Sequence, residues 1–486
     1  MRSSRLVSSA FALLGLAACG GDDGGATPTD ARRTDAAVTD AAVIDAPPID
    51  AAVDAPIDAP PAGTGTTVWV FGDIATNNVG QLGKFTHPSA AVATPTFVPA
   101  AGELPSLNFP VPFSISNDSA RVVYVSRAAV TDPWKISYST AAGAGIVDVF
   151  TAPLAATVIS DVALSPDKTK IAFRADLATA GLFDVYVVSA AAAGVPVKLS
   201  PDRADVLLDA QAFLSWSPDS RYLAFGGAFT TANLNELRIR DTMANTTGTA
   251  LAAAAILAAD NPRGLLLPPV WGPANKLFVA ARITAAGERR IYTANPDGTG
   301  FAVLANTIIT RGDNTMSQAA NFALSPDGAT IVFAADAPLA TAFEIYKMPS
   351  TGAAAPMRLT AGTIGANRGV DTFRPMRFNP AGTAVAYAAD HGATDDKFQP
   401  WVIPVAGGAA RRLATIGVDT DAARDVQAMA WTLDSTTLYV IGDAGAADND
   451  FEVYALDAAM TDQATPAKID PPMSGDAFEL TTRATP

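Results

Sequence analysis

The stretch that decides the fold of this chain is Phe322-Ala323-Leu324-Ser325-Pro326-Asp327-Gly328-Ala329-Thr330-Ile331-Val332-Phe333. Its middle is a tight turn, because proline fixes one backbone angle and aspartate accepts hydrogen bonds from backbone N–H groups two residues on. Apolar, aromatic and β-branched residues flank the turn on both sides, which is typical of strands. The stretch therefore predicts two short strands joined by a turn.

The same turn recurs along the chain at a nearly constant interval. The prolines of its clearest copies lie 52, 55, 53 and 54 residues apart in Ser165-Pro166-Asp167, Ser217-Pro218-Asp219, Gly272-Pro273-Ala274, Ser325-Pro326-Asp327 and Asn379-Pro380-Ala381. Two degenerate copies, Ser116-Asn117-Asp118 and Thr432-Leu433-Asp434, extend the series to seven. A fixed period of this length indicates a solenoid or a propeller rather than a fold with a single core.

Each period carries the pattern of four short strands. The first strand precedes the turn and the second follows it, as in Lys170 to Phe173. A loop rich in Asp, Gly and Ala leads to a third strand such as Phe343-Glu344-Ile345-Tyr346, and a brief fourth strand follows, as in Pro356 to Leu359. Four strands per period make one propeller blade, so the predicted fold class is all-β, a β-propeller.

The two ends of the repeat region complement each other. Residues 67–98 offer three strands, at Thr67 to Gly72, Gln81 to Phe85 and Thr94 to Val98, but no first strand. The C-terminal segment Phe478-Glu479-Leu480-Thr481-Thr482 has the pattern of a first strand with no strands after it. Because a lone blade leaves two apolar faces exposed, the ring must close. We expect eight four-stranded blades, with the C-terminal strand completing the N-terminal blade; seven is the alternative if the terminal strands pair differently.

The repeat resembles the WD-like repeat of TolB-type β-propellers. The most similar copy carries Ser325-Pro326-Asp327-Gly328, Glu344-Ile345-Tyr346 and Arg358-Leu359-Thr360, and the resemblance covers most of residues 110–470. It implies a rigid ring that binds other macromolecules through its face loops and its central opening. The chain departs from the family's name-giving protein, because it shows no separate α/β domain before the propeller and carries a long N-terminal segment.

The first 18 residues have the pattern of an export signal. Arg2 and Arg5 precede an apolar run that is shorter than the roughly 20 residues of a membrane-spanning helix. The run ends in Leu16-Ala17-Ala18-Cys19, which resembles the lipobox of bacterial lipoproteins. The resemblance implies a signal peptide at residues 1–18 and a diacylglycerol group on Cys19. Because Gly20 stands where enterobacterial lipoproteins of the inner membrane have Asp, it also favours the outer membrane, with the side that the protein faces left open.

Residues 19–66 form the predicted connection between the lipidated Cys19 and a propeller at residues 67–486. Nine Asp against Arg32 and Arg33 give residues 20–66 a charge of -7. Asp recurs at steps of five and then four, and prolines interrupt the segment, a pattern that fits neither a helix face nor a strand face. We expect a disordered acidic tether with a mean span of about 35 to 40 Å.

The overall composition excludes several classes of function. The net charge of -15 argues against nucleic acid as a partner, because such binding depends on neutralising phosphates with Lys and Arg. One Cys and two His, His87 and His391, cannot build a thiolate cluster or a multi-His zinc site. No cofactor and no metal site is predicted.

Several side chains have a residue type or spacing that could belong to a site. A tryptophan precedes the turn at Trp216, Trp271 and Trp431, which favours packing between blades over a platform for sugar. The Asp pairs Asp395-Asp396 and Asp448 with Asp450 are expected to be solvated turn residues, since neither matches the calcium loop Asp-x-Asp-x-Asp-Gly. Arg311-Gly312-Asp313 is a chance match to an integrin tripeptide, and His391 is expected to be a polar turn residue.

The sequence names no ligand and no catalytic residue. We expect a lipid-anchored envelope protein, monomeric, whose propeller is a non-catalytic binding or scaffold module for a protein or an envelope polysaccharide. The alternative is an enzyme, a lyase or glycosidase that acts on polysaccharide through carboxylates converging at the channel mouth. No Gly-x-Ser-x-Gly motif is present, so the sequence gives no sign of the hydrolase domain of some propeller peptidases.

Overall fold

In the computed structural model, the strand that follows each turn is buried on both faces. In Thr330–Ala335, the side chains of Ile331 and Phe333 pack against the preceding sheet, and Val332 packs against the following one. The continuous apolar run of the sequence therefore reflects a strand with a neighbour on each side.

The structure describes one set of residues, all of which belong to the unit Asp54–Pro486. They are residues 66–72, 81–87, 96–97, 113–129, 131–140, 144–201, 210–227, 229, 236–243, 269–281, 290–305, 307, 321–335, 343–360, 369–371, 374–391, 397–416, 426–443, 451–463, 467–468 and 477–484.

The described residues form 31 strands in eight antiparallel sheets. Sheet 1 begins with β1 (Thr66–Gly72), β2 (Gln81–His87) and β3 (Thr96–Phe97). Sheet 2 has β4 (Phe113–Ile115), β5 (Arg121–Ser126), β6 (Lys135–Thr140) and β7 (Val147–Thr151), and sheet 3 has β8 (Ile159–Leu164), β9 (Lys170–Ala175), β10 (Asp184–Ser189) and β11 (Val197–Lys198). Sheet 4 has β12 (Ala210–Trp216), β13 (Tyr222–Gly227) and β14 (Glu236–Asp241). Sheet 5 has β15 (Val270–Trp271), β16 (Leu277–Ala281), β17 (Arg290–Ala294) and β18 (Ala302–Val303), with a 3-10 turn at Pro273–Asn275.

The remaining strands complete sheets 6, 7, 8 and 1. Sheet 6 has β19 (Phe322–Leu324), β20 (Thr330–Ala335), β21 (Glu344–Pro349) and β22 (Met357–Arg358), and sheet 7 has β23 (Arg377–Phe378), β24 (Ala384–Ala389), β25 (Gln399–Pro404) and β26 (Arg411–Arg412). Sheet 8 has β27 (Val426–Trp431), β28 (Thr437–Asp443), β29 (Phe451–Asp457) and β30 (Ala467–Lys468). The last strand, β31 (Ala477–Ala484), joins sheet 1.

Strands within a sheet pair in their order along the chain, except in sheet 1. There the order is β3-β2-β1-β31, so the C-terminal strand takes the place that the first strand holds in the other sheets. The register runs from Thr66 opposite Ala484 to Gly72 opposite Ala477. The predicted completion of the N-terminal blade by the C-terminal strand is confirmed.

The sheets pack against one another in a circle. Eight hydrophobic clusters each join one sheet to the next, from sheets 1 and 2 round to sheets 8 and 1. Sheet 1 shows both contacts: Trp69 and Phe71 pack against sheet 2, whereas Val68 and Val70 pack against Tyr439 of sheet 8. First strands also contact first strands of neighbouring sheets, as β8 does with β4 and β12. This is the arrangement of a β-propeller, as the sequence predicted.

The ring has two different ends. The end that carries the turns between first and second strands is called the turn end. The opposite end, where each second strand leads to a third strand, is called the loop end.

Candidate functional site

The Ser-Pro-Asp turns are held by bonds within each turn. Ser165 Oγ donates to Asp167 Oδ1 at 2.5 Å and accepts the Lys170 N–H at 2.9 Å, while Asp167 Oδ1 also accepts the Thr169 N–H at 3.0 Å. The other copies repeat this pattern at Ser116, Ser217, Ser325 and Thr432. The side chains that define the motif are therefore engaged in shaping the turn, as the sequence predicted.

Neighbouring turns are also bonded to one another. Lys168 Nζ lies 2.5 Å from Asp118 Oδ2 of the preceding turn, and Ser220 Oγ accepts the Asp167 N–H at 2.8 Å. Further links join Asn275 to Asp219, the N–H of Ala381 to Ser435, and the N–H of Leu433 to Thr66 Oγ1. Polar groups at the inner part of the turn end thus serve the assembly of the ring.

The tryptophans before the turns join one sheet to the preceding one. The indole Nε1 of Trp216 donates to the Ala163 carbonyl at 3.0 Å, and that of Trp431 donates to the Arg377 carbonyl at 3.1 Å. Trp271 makes the equivalent bond to Ser215 at 3.0 Å. The prediction that these residues pack between blades is confirmed.

Two carboxylates at the loop end hold backbone segments. Asp176, directly after β9, accepts the N–H of Val158 at 2.7 Å and that of Gly181 at 2.9 Å. Asp390, directly after β24, accepts the N–H of Gly369 at 2.5 Å. Each ties the end of a second strand to the chain that precedes the first strand of the same sheet.

Other loop-end carboxylates are paired with basic side chains. Asp161 Oδ2 lies 2.7 Å from Arg174 Nε, and Ser160 Oγ donates to the same oxygen at 2.9 Å. Burial raises the pKa of Asp161, and the Arg174 guanidinium offsets part of that rise. Glu344 Oε2 lies 3.0 Å from Arg358 Nη1. Burial raises the pKa of Glu344, and the Arg358 guanidinium offsets part of that rise.

A hydroxyl residue follows the leucine after the fourth strand in two of the repeats, at Leu199-Ser200 and Leu359-Thr360, and its contacts show its role. Ser200 Oγ donates to Asp184 Oδ1 at 2.6 Å and accepts the Val185 N–H at 3.2 Å, while Lys198 Nζ lies 3.1 Å from Asp184 Oδ2. Thr360 accepts the N–H of Ile345 at 3.0 Å in the same way. The hydroxyl at this position therefore fixes the chain after the fourth strand to the start of the third.

An aromatic cluster at the loop end of sheet 7 is the best candidate for a binding site. We call Tyr387, His391 and Trp401 the sheet 7 cluster. Tyr387 lies opposite Trp401 in the pairing of β24 with β25, and the His391 ring lies 6.0 Å from the Tyr387 ring and 5.1 Å from the Trp401 ring, centre to centre. The three rings therefore form one contiguous group.

Three polar atoms of this cluster are buried. Among the described residues, no hydrogen-bond partner meets Tyr387 Oη, His391 Nε2 or Trp401 Nε1. Burial lowers the pKa of His391 to about 4 and raises that of Tyr387 above its usual range, so both are neutral near pH 7. Tyr387 is fully buried in the core between sheets 6 and 7, whereas His391 and Trp401 are partly buried. The part of the cluster that a ligand can reach is therefore formed by the neutral His391 and Trp401 rings, which suit a polar ligand held by stacking and hydrogen bonds.

Basic side chains lie beside the first and third strands of the same sheet. Arg374 is paired with Asp371 and lies over the Phe398 ring, 5.6 Å from its centre. Asn321 of sheet 6 fixes this segment, because its amide donates to the carbonyls of Asp371 at 3.0 Å and Arg374 at 2.6 Å. Lys397 is almost fully buried.

The structure corrects one expectation and leaves others outside its range. His391 is largely buried against the rings of Tyr387 and Trp401, whereas the sequence indicated a polar turn residue. Neither the residues next to His391 in the sequence nor their spacing indicates that these two rings lie beside it. Cys19, Asp395, Asp396, Asp448, Asp450 and the segment 311–313 lie outside the described residues, and so does the tether up to residue 65. His87 is the last residue of β2.

Two features are absent from the part of the chain that the structure describes. No group of three or more His, Cys, Asp or Glu side chains there could hold a metal ion. No helix in that part of the chain has the length and hydrophobicity needed to cross a bilayer.

Comparison with known proteins supports the fold. No protein-family model matches the chain, and no curated protein matches it. Among solved structures, dipeptidyl peptidase 4 from Porphyromonas gingivalis matches 82% of this chain at 12% identity with a TM-score of 0.55; the chain spans 59% of that peptidase.

Two further neighbours have lower TM-scores. The β-propeller domain of the Trilobed protease from Pyrococcus furiosus matches 75% of this chain and 96% of its own at 12% identity, with a TM-score of 0.42. A putative TolB from Agrobacterium tumefaciens matches 70% of this chain and 94% of its own at 17% identity, with a TM-score of 0.32. Structural neighbours thus include propeller and TolB proteins, and at these identities the likeness concerns the fold alone.

Proposed function

We propose that this protein is a lipid-anchored envelope protein, bound to the outer membrane through Cys19, whose propeller is a non-catalytic module that binds a protein or an envelope polysaccharide at its loop end. The observation that supports this most is the place where the chain enters the ring. Thr66, the first residue of β1, accepts the N–H of Leu433 in a turn at the turn end. The described chain therefore begins at the turn end, and we assign the opposite, loop end to ligand binding.

The distribution of polar groups between the two ends supports the same assignment. At the turn end, the motif side chains are bonded within and between turns, and Ser119 Oγ is the buried turn hydroxyl that the described residues leave without a bond. At the loop end, the sheet 7 cluster holds three buried polar atoms, Tyr387 Oη, His391 Nε2 and Trp401 Nε1, that the described residues do not satisfy. Because unsatisfied buried polar groups cost free energy, a ligand that meets them gains affinity.

The lipid anchor is tested on the mature protein. Mass spectrometry of the N-terminal peptide is expected to show an acylated Cys19, and Cys19→Ala is expected to release the protein from the membrane fraction. A mature terminus without acyl groups would reject the anchor.

The binding role is tested with the full-length protein in envelope extracts. Capture of a ligand is expected to drop for His391→Gln. His87→Gln, the same substitution at the last residue of β2 and so at the turn end, is the matched control and should leave capture unchanged. Equal capture by both variants would show that the ligand does not bind at the sheet 7 cluster. Consumption of an envelope polysaccharide with turnover would instead show an enzyme.

A further inference from the structure

Six sheets expose large apolar side chains in the same part of the blade. In five of these sheets the residue lies in, or next to, the hairpin that joins the third strand to the fourth, and in sheet 4 Met243 lies two residues after the third strand, β14. We call this set the turn-end rim: Ile146, Val195, Met243, Val303, Met357 and Met460. Val195 is 89% exposed, and Val197 beside it is also exposed.

These hairpins lie at the turn end. The N–H of Ala190, after β10, donates to the Thr169 carbonyl in the first turn of the same sheet at 2.9 Å. Thr242 bonds in the same way to Arg221 at 2.8 Å, and Ala458 bonds to Thr436 at 2.9 Å. Because the fourth strand, where it is described, is the outermost of its sheet, the rim lies at the outer edge of the turn end, with members from six of the eight sheets.

The chain also enters the ring at this end. Thr66 is bonded to the turn at Leu433, and the stretch before it leads back over 47 residues to Cys19. With a mean span of about 35 to 40 Å, such a tether lets the turn end reach the surface to which Cys19 is attached.

We propose that the turn-end rim docks on the lipid surface that holds Cys19; this rests on the proposed lipid anchor. Exposed apolar side chains on one end of a ring fit the boundary between lipid headgroups and acyl chains. The net charge of -15 argues against attraction to an anionic surface as the main force, so we expect docking to be apolar and weakly dependent on salt. Because the tether keeps the ring close to the bilayer, docking is an intramolecular step. The docked state is therefore populated even if the same apolar contacts are too weak to hold an untethered protein on the membrane.

Docking in this orientation presents the loop end away from the bilayer. Leu154, between β7 and β8, is the one large apolar residue of comparable exposure, 67%, that the described residues place at the loop end. It therefore provides a matched control on the opposite end of the ring.

The experiment attaches the chain to vesicles without its lipid, so that it does not depend on the modification of Cys19. The mature chain from residue 19, with Cys19→Ser and an N-terminal histidine tag, is held on phosphatidylcholine vesicles that contain a nickel-chelating lipid. Because Cys19 is the only cysteine, Val195→Cys or Leu154→Cys then gives a single site for an environment-sensitive fluorophore. We expect a blue shift and quenching by spin-labelled lipids at position 195, and neither at position 154.

A second variant identifies the cause of the docking. Changing Met243, Val303 and Met357 to Ser in the Val195→Cys chain is expected to reduce quenching to the level at position 154, whereas added salt should leave it unchanged. Equal quenching at positions 195 and 154, or quenching that the Ser substitutions do not alter, would overturn the proposal. Absence of acyl groups on Cys19 would reject the anchor while leaving this result intact.

Discussion

Gly328 and Gly382 hold the same position in neighbouring turns but differ in their surroundings. Both have a left-handed backbone, with φ of 68°. A β-carbon at Gly328 would collide with the ring of Pro273 in the preceding sheet, whereas at Gly382 it would lie 3.6 Å from Pro326, an ordinary contact. Glycine is therefore required at position 328 by a neighbour as well as by its own backbone.

Alanine substitutions separate these two effects. Gly382→Ala is expected to lower the free energy of unfolding by about 1 kcal/mol through backbone strain alone. Gly328→Ala should cost about 2 to 4 kcal/mol, because Pro273 must also move. Urea denaturation of both variants measures the difference. An equal loss of stability in both variants would show that the turn at Gly328 does not contact Pro273 as described.

The buried His391 makes stability depend on pH. Burial lowers its pKa to about 4 in the folded protein, against about 6.5 in an unfolded chain. Between these values the unfolded state binds the extra proton, so the free energy of unfolding falls as pH decreases from about 6.5 to 4, by as much as about 3 kcal/mol.

His391→Gln is expected to remove that part of the pH dependence. The free energy of unfolding at pH 7 and at pH 4.5, from chemical denaturation, gives the measurement. His87→Gln, the chain's other histidine, is the control and should keep the slope. A titration of the His391 ring by NMR with a midpoint near 6.5 would contradict the burial.

At the scale of elements, local chemistry was enough to predict the strands. The turn Ser325-Pro326-Asp327 lies between β19 and β20, as its side chains indicate, and the C-terminal segment predicted at Phe478 to Thr482 lies within β31. Both signals are local: turn residues with defined hydrogen bonds, and apolar strands whose two faces require neighbours.

Contacts between elements could not be predicted in the same way. The sheet 7 cluster joins the end of β24 to β25, and its rings meet because Tyr387 pairs with Trp401 in register. The bond from Asn321 to the backbone at Asp371 likewise crosses from sheet 6 to the segment before β23. Such contacts depend on register and on packing between sheets, which a single period of the repeat does not encode.

For the whole molecule, ring closure depends on one strand contributed by the far end of the chain. β31 pairs along the full length of β1, and the sheet so completed is packed against sheet 8 through Val68 and Val70 and against sheet 2 through Trp69 and Phe71. Without β31, one edge of β1 loses its backbone partners, and an unpaired strand edge promotes association with other chains.

Removing residues 475–486 is therefore expected to lower the melting temperature, to broaden the unfolding transition and to produce oligomers. Calorimetry and size-exclusion chromatography measure these effects. A synthetic peptide of residues 475–486, added to the truncated chain, should restore the monomer and raise the melting temperature again, because it supplies the missing partner of β1. Removing residues 485 and 486 alone, which follow β31, is the control and should change nothing. A truncated chain that stays monomeric with an unchanged melting temperature would show that closure does not depend on β31.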